Sequence, residues 1–320
     1  MNECSIWQVS AGSSDRSYIN QFLKYGVALI GPGDIGPWVS GQTDKDSDDN
    51  FIHRFAEEMQ IGDILLLRVG QSAISAVGLI ASEYQYLTQF DDVNGWDLQH
   101  ARRVRWCPLP ALYDFGRPVF GANPSRLSRV FVSDLVDYAN RFVRSPPIEW
   151  QTSKLPNLPI ENPRMETPPA DLQDIITQIQ RLSQIYYHND FDKWPTEDEL
   201  IAHCVIPFLR TLGWPSEMIG VKWRNIDVCV FSALPRSPDS CYYLIEAKTL
   251  GTGIEGALKQ AKRYVSTLGV TRDVITTDGI RYQMYNANKD FAPAAYANLA
   301  RLKLPAKKLF DRMRRPQPEK

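Results

Sequence analysis

The run Tyr242-Tyr243-Leu244-Ile245-Glu246-Ala247-Lys248 begins as an apolar strand and ends in charge. Side chains alternate faces along a strand, so Glu246 and Lys248 point the same way while Ala247 points into the core. Asp227 lies on the preceding strand candidate, Ile226–Phe231, and a hairpin-like return through 232–241 would set it beside Glu246. Two carboxylates converging on one point repel unless a cation neutralises them. Mg²⁺ suits such a pair best, because it favours carboxylates, waters and phosphate oxygens; Mn²⁺ is the expected substitute. Asp227 and Glu246 would then hold the metal, with the backbone carbonyl of Ala247 as a third ligand. Such a metal polarises a phosphodiester and activates water, and Lys248 would orient the water or stabilise transition-state charge.

Working outward, 171–188 carries Leu172, Ile175, Ile176, Ile179, Leu182 and Ile185 at helical spacing. A second helix is expected over 197–212, stopped by Gly213, with Glu197 at its start as a further carboxylate for the site. A long helix over 254–268 places Gln260 and Tyr264 four apart on one face, within reach of phosphate or of the lysine. Strands are expected at 273–277 and 280–285 around the turn Asp278-Gly279. The order α-α-β-β-α-β-β implies an α/β layer with a mixed sheet. An E-x-K on a strand can also be a surface ion pair, and Glu197 a favourable helix-start charge.

This ordered set resembles the PD-(D/E)xK nuclease superfamily. The likeness is closer to the N-terminal nuclease domain of type I restriction R subunits and their stand-alone relatives. It is carried over roughly 171–300 by Glu197, the run from Ile206 to Trp214, Ile226-Asp227-Val228, Tyr243–Lys248, Gln260-Ala261-Lys262-Arg263-Tyr264 and Thr276-Thr277-Asp278-Gly279. Gln260 and Tyr264 match the Q-x-x-x-Y motif of a subset of these nucleases. The family's usual Pro before the first Asp is Ile226 here. The resemblance implies a restriction-endonuclease-like fold and Mg²⁺-dependent hydrolysis of DNA phosphodiesters.

Upstream, seven prolines between Arg144 and Ala170 (146, 147, 156, 159, 163, 168, 169) mark an extended linker, 145–170. It separates a front domain, 1–144, from a second domain, 171–306, which a basic tail, 307–320, follows. The tail is free or touches DNA. The front domain reads as short, mostly antiparallel strands with two or three helices, and the expected form is a curved barrel. The turn Ser13-Ser14-Asp15 offers caps for a helix over 18–25, and a second helix is expected over 51–59. Trp38 follows the Gly31–Pro37 turn and Trp96 follows Asn94-Gly95. Loop aromatics on a β scaffold can sandwich a flat ligand such as an extruded base, with Trp7 as a floor. Core packing is the competing reading of Trp7. Arg102, Arg103 and Arg105 are candidates for a phosphate backbone, or for a solvated strand face.

The front domain resembles the PUA-like superfamily, most closely the EVE group and its RNA-reading YTH cousins. The residues concerned are Ile6-Trp7-Gln8-Val9, Gly31-Pro32-Gly33-Asp34 with Trp38, Gly62-Asp63-Ile64-Leu65, Ala76-Val77-Gly78 and Gly95-Trp96-Asp97-Leu98 running into Val104-Arg105-Trp106. The resemblance implies that Trp38 and Trp96 wall a cage for a modified base, with Trp7 beneath.

Composition narrows the alternatives. The chain has 320 residues, with 36 Lys and Arg against 37 Asp and Glu. Residues 1–144 hold 13 basic and 17 acidic side chains and the remainder 23 and 20, so neither half is a basic arm. No apolar run suffices to span a bilayer. The start of the chain has no signal pattern, and the five scattered cysteines have no C-x-x-C spacing, which favours a reducing cytoplasm over a zinc or disulfide scaffold. No GxxxxGK[ST] motif is present, so NTP-driven translocation is not encoded here. The expectation is an α+β and α/β chain: a PUA-like β-barrel-type reader joined to a PD-(D/E)xK mixed-sheet nuclease. It would act as a modification-dependent restriction endonuclease on duplex DNA bearing a modified base, a modified cytosine first, in defence against foreign DNA. Double-strand cutting calls for a homodimer or two molecules on DNA. The alternatives are a nuclease for RNA or single-stranded DNA, and a non-catalytic binding module working with a partner.

Overall fold

A computed structural model describes residues 4–13, 16–31, 33, 36–40, 51–93, 96–122, 125–144, 154–188, 195–250, 254–269 and 273–316. Ser14, Asp15, Pro32, Asp34, Asn94, Gly95, Pro146, Pro147 and the last four residues of the expected tail lie outside these. The chain divides into two units, 1–161 and 162–320. The division falls inside the proline-rich stretch.

The first unit comprises β1 (Ile6–Ser10), β2 (Gly12–Ser13), β3 (Arg16–Ser17), α1 (Ile19–Tyr25), β4 (Val27–Ile30), α2 (Phe51–His53), β5 (Ile64–Val69), β6 (Ala73–Ile80), β7 (Gln85–Tyr86), β8 (His100–Asp114), β9 (Leu127–Arg129) and α3 (Ser133–Arg144). Its main sheet runs β4-β8-β6-β5-β1-β9, with β7 also on β8. β8 spans 15 residues and serves β4 at one end and β6 at the other, which curves the sheet into a half-barrel. The sheet's pairing is mostly antiparallel, as expected, with β1 and β5 running parallel. Close packing requires glycine at Gly78: a Cβ there would stand 2.6 Å from the indole of Trp106, its cross-strand neighbour. The expected helix over 51–59 is a short α2 that widens into a π turn, Arg54–Glu58. The cap of α1 also differs: Tyr18 occupies it without a side-chain bond.

The second unit comprises α4 (Gln173–His188), α5 (Glu197–Leu200), α6 (Ile206–Thr211), β10 (Ile219–Trp223), β11 (Ile226–Phe231), β12 (Cys241–Ala247), α7 (Ala257–Leu268), β13 (Asp273–Thr277), β14 (Arg281–Asn286), β15 (Ala292–Asn298) and α8 (Ala306–Met313). The sheet follows chain order from β10 to β15. Only β12 and β13 run parallel, and α7 is their crossover helix. One face of the sheet packs on α4, α6 and α8, the other on α7. The helix expected over 197–212 is interrupted: Thr196 caps α5 through the Glu199 amide, then a π turn, Ile201–Val205, leads into α6. Pro207 lacks an amide for the regular ladder, and the widened turn before it accommodates the ring.

The basic tail is corrected as well. Lys307 to Met313 lie in α8, whose Ala306, Leu309, Phe310 and Met313 are buried. The Met313 carbonyl accepts from the Trp214 indole at 2.7 Å and the Tyr243 hydroxyl at 2.9 Å. The described part of the linker is likewise tied down. Leu158 packs on the first core, while Met165 donates to the Leu302 carbonyl and Leu304 to that of Pro163.

Candidate functional site

The β11–β12 ladder pairs Val228 with Ile245, so Asp227 and Glu246 follow it side by side. Oδ2 of Asp227 accepts the Ala247 amide at 2.8 Å, which fixes one carboxylate oxygen. Ala247 belongs to the apolar core, and Glu246 and Lys248 share the opposite face. Lys248 Nζ lies 3.6 Å from Oε1 of Glu246 and 3.6 Å from Oε1 of Glu197. The start of α5 thus brings a third carboxylate to the lysine. The Lys248 amide donates to the Thr277 carbonyl at 2.8 Å, which anchors the strand end on β13.

Glu246 is the anomaly of the site. It is fully buried, and neither of its carboxylate oxygens has a hydrogen-bond partner. Burial first, then the charges of Asp227 and Glu197, push its carboxyl up to about 8, against the pull of Lys248. Thr276, its neighbour across β12 and β13, is wholly buried beside it. Unsatisfied acceptors of this kind are rare in folded chains and mark places where another species belongs. The donor set therefore fits a hard divalent cation: two adjacent carboxylates and a backbone carbonyl, all oxygen donors. Among the described residues no group of three or more His, Cys, Asp and Glu gathers to hold a metal, so such a cation would rest on two carboxylates.

Two residues of the site escaped the sequence reading. Lys222 Nζ stands 2.7 Å from Oδ1 of Asp227 and 3.0 Å from Oδ1 of Asp198. Lys222 lies opposite Asp227 in the β10–β11 hairpin, between the pairs Val221–Val228 and Trp223–Ile226. Its φ is 51°, and Arg224 and Asn225 follow at 50° and 68°. Three non-glycine residues in the left-handed region concentrate strain in one turn beside the carboxylates. Hydrogen bonding to Asp227 raises the Lys222 ammonium above its ordinary range.

Gln260 and Tyr264 meet, but not on the lysine. Gln260 Nε2 donates to the Tyr264 hydroxyl at 3.1 Å, and that hydroxyl donates to the Asn225 carbonyl at 2.9 Å. Their described contacts brace the strained turn. Asp278 shapes the β13–β14 hairpin by accepting the amides of Ile280 and Arg281, and it pairs with the Arg281 side chain.

In the first unit, Trp38 donates its indole N–H to Oε1 of Glu57 at 2.8 Å and meets His53 edge-on at 5.7 Å. Its amide donates to the Tyr84 hydroxyl at 2.9 Å. That hydroxyl is 2.8 Å from Nδ1 of His100, whose ring stacks on Tyr84 and meets Tyr86 edge-on. His53 and Tyr84 thus touch Trp38, with His100 behind Tyr84 and Tyr86 against His100, and no spacing in the sequence announced them. Trp96 is half-buried against the same core and bridges to Val93.

Trp7 is corrected from cage floor to core. It is 1% exposed, and its indole donates to Oδ2 of Asp63, which also accepts the Gln60 amide. No face is left for a base. Arg102 is corrected too: it is wholly buried, and its guanidinium donates to the carbonyls of Phe55, Ser82 and Ala56. Arg103 donates to the carbonyls of Tyr25, Gly26 and Pro156. Arg105 is the exposed member of the three. A cleft of about 500 Å³ in this unit is lined by Tyr113, Tyr138, Arg141, Phe142 and Arg144, with none of the predicted base-binding tryptophans.

A family described as a domain of unknown function (DUF8426) matches residues 7–110. No curated protein matches. One similar solved structure is a fragment assigned as an HsdR subunit of a type I restriction enzyme from Vibrio vulnificus YJ016. The identity is 18% and the TM-score 0.26, over 38% of this chain and 25% of that one. This chain therefore spans about a quarter of that fragment. Another is the YTH domain of the Zygosaccharomyces rouxii MRB1 protein in complex with N6-methyladenosine RNA, at 12% identity and TM-score 0.30, over 45% of this chain and 89% of that one. At TM-scores below 0.5 neither likeness carries a functional inference for this chain. No helix among the described residues is long and apolar enough to cross a membrane.

Proposed function

We propose that the second unit is a Mg²⁺-dependent phosphodiesterase and the first a reader of a modified base. Together they would form a modification-dependent endonuclease that cuts duplex DNA, with modified cytosine the first candidate target. The observation that carries the catalytic half is the buried carboxylate of Glu246, whose charged neighbour of opposite sign is Lys248 at 3.6 Å, with Asp227 beside it.

Asp227, Glu246 and the Ala247 carbonyl would hold the cation, which would supply Lewis-acid polarisation of a phosphodiester. Lys248, balanced between Glu246 and Glu197, keeps its ammonium where negative charge develops on the phosphate oxygens. Glu197 holds Lys248 in place. Tyr264 and Gln260 hold the turn that carries Lys222 against Asp227. In the first unit, Trp38 and Trp96 offer aromatic faces to an extruded base, and Tyr84 with His100 fixes the Trp38 loop. A single active site cuts one strand, so two copies of the chain would act together on a duplex.

The test is cleavage with Mg²⁺, then with Mn²⁺. Wild type and Lys248→Ala would be compared on duplex DNA carrying ordinary, methylated, hydroxymethylated or glucosylated cytosine, and on matched RNA. Cutting of one modified duplex by wild type alone supports both halves. Equal cutting of every duplex keeps the nuclease and removes the reader. Cutting of RNA alone moves the substrate. Tight binding without cutting turns the chain into a recruiting module.

A further inference from the structure

Lys222 stands in hydrogen-bond contact with Asp227, a carboxylate that the proposed function assigns to metal. Asp227 has two oxygens. Oδ2 is committed to the Ala247 amide, and Oδ1 is covered by the Lys222 ammonium at 2.7 Å. The oxygen that a divalent ion would need is thus already occupied by a charge of the same sign.

We infer that Lys222 is the resident counter-ion of Asp227 and that a divalent cation gains this carboxylate by displacing it toward Asp198. The inference rests on the metal-dependent reading above and adds a competitor to it. A buried carboxylate left without a partner is costly, so the metal-free chain needs a positive charge at Oδ1. Lys222 supplies one from a side chain that is 47% exposed, so its head can leave without unpacking a core. Asp198, 77% exposed and 3.0 Å from the same ammonium, is a ready partner once Asp227 is taken. The left-handed φ values of Lys222, Arg224 and Asn225 hold the hairpin in the shape that aims this lysine at Asp227. Lys248 does not share the role, since its partners are Glu246 and Glu197. Of the two lysines at the site, one faces the chemistry and the other guards the metal's seat.

The experiment is direct Mn²⁺ binding, by calorimetry and by the paramagnetic signal of free Mn²⁺, with no nucleic acid present. The proteins are wild type, Lys222→Gln, Lys222→Arg, Asp198→Asn and Asp227→Asn. Lys222→Gln is expected to bind Mn²⁺ at least fivefold more tightly than wild type and to show a larger Mn²⁺-induced rise in Tm. Lys222→Arg keeps the charge and is expected to gain nothing. Asp198→Asn removes the retreat and is expected to bind about threefold more weakly. It is an exposed substitution, so it keeps the test open if Lys222→Gln does not fold. Equal or weaker binding by Lys222→Gln, or an unchanged affinity in Asp198→Asn, overturns the displacement while leaving the metal site intact. Absence of binding by wild type and Lys222→Gln alike, with Asp227→Asn no different, removes the metal reading itself and this inference with it.

Discussion

The Tyr264 hydroxyl donates to the Asn225 carbonyl at 2.9 Å, so a side chain of α7 closes the strained turn between β10 and β11. Tyr264→Phe leaves the ring and removes that bond. The expected loss is about 1 kcal/mol of stability. Nuclease activity should fall partially, about tenfold, because Lys222 and Asp227 are less firmly set but Lys248 is untouched. Urea denaturation and single-turnover cleavage check both numbers, and an effect as complete as that of Lys248→Ala would make Tyr264 a catalytic group instead.

Lys248→Ala is expected to lower cleavage by about 10²–10³ at saturating Mg²⁺, the usual range for removing one preorganised electrostatic donor. Mn²⁺ affinity should hold or rise, since a positive charge beside Glu246 is removed. Parallel loss of Mn²⁺ binding would assign Lys248 to the architecture of the site.

Glu246 gives a pH signature. Its carboxyl is raised from 4.5 to about 8 in the folded chain, so the neutral form is favoured by folding. That stability is complete below the unfolded value near 4.5 and is lost as pH rises through about 8. The metal-free protein should therefore lose Tm between pH 5 and 9, and Glu246→Gln should flatten that loss. At about 1.4 kcal/mol per pKa unit the difference at pH 9 exceeds ~2 kcal/mol. Saturating Mn²⁺ reverses the trend for wild type, because the ion binds the ionised form. A wild-type pH profile identical to that of Glu246→Gln would mean that the carboxyl is not buried in solution.

Trp7 and Trp38 should separate cleanly. Trp7→Phe empties part of a core and removes one of the two donors to Oδ2 of Asp63, and is expected to cost about 2 kcal/mol with no change in preference among modified bases. Trp38→Ala should leave Tm within a few degrees and weaken binding of the modified duplex at least tenfold. Calorimetric melting and a binding titration on modified and plain duplexes decide it. Equal loss on both duplexes would remove Trp38 from base recognition.

Strands β11 and β13 were legible to the residue, because short apolar runs stand there between polar turns. The shared face of Glu246 and Lys248 followed from strand alternation, and the pairing of Asp227 with Glu246 from a hairpin-like return between their strands. β10 was not legible: its exposed lysine and its left-handed turn carry no strand pattern, and Lys222 went unnoticed with it. β15 is built largely of alanine, a poor strand former, and takes its conformation from pairing with β14. α8 was hidden by its own cations, since Lys307, Lys308 and Arg312 mask the buried stripe of Leu309, Phe310 and Met313. The aromatic group around Trp38, His53, Tyr84, Tyr86 and His100, comes from separate segments of the chain, and local spacing cannot gather those.

The inward turn of Arg102 bears on how the first unit would find a polynucleotide. Among Arg102, Arg103 and Arg105, only the last faces water freely, in a half whose charges already sum to an acidic excess. With Arg102 turned inward, this strand would release fewer counterions from a phosphate backbone, so its share of any grip on nucleic acid should change less between dilute and concentrated salt. Affinity that is insensitive to ionic strength has to come from stacking and shape. A reader of that kind gains little from unmodified sequence and dwells only where the right base is offered.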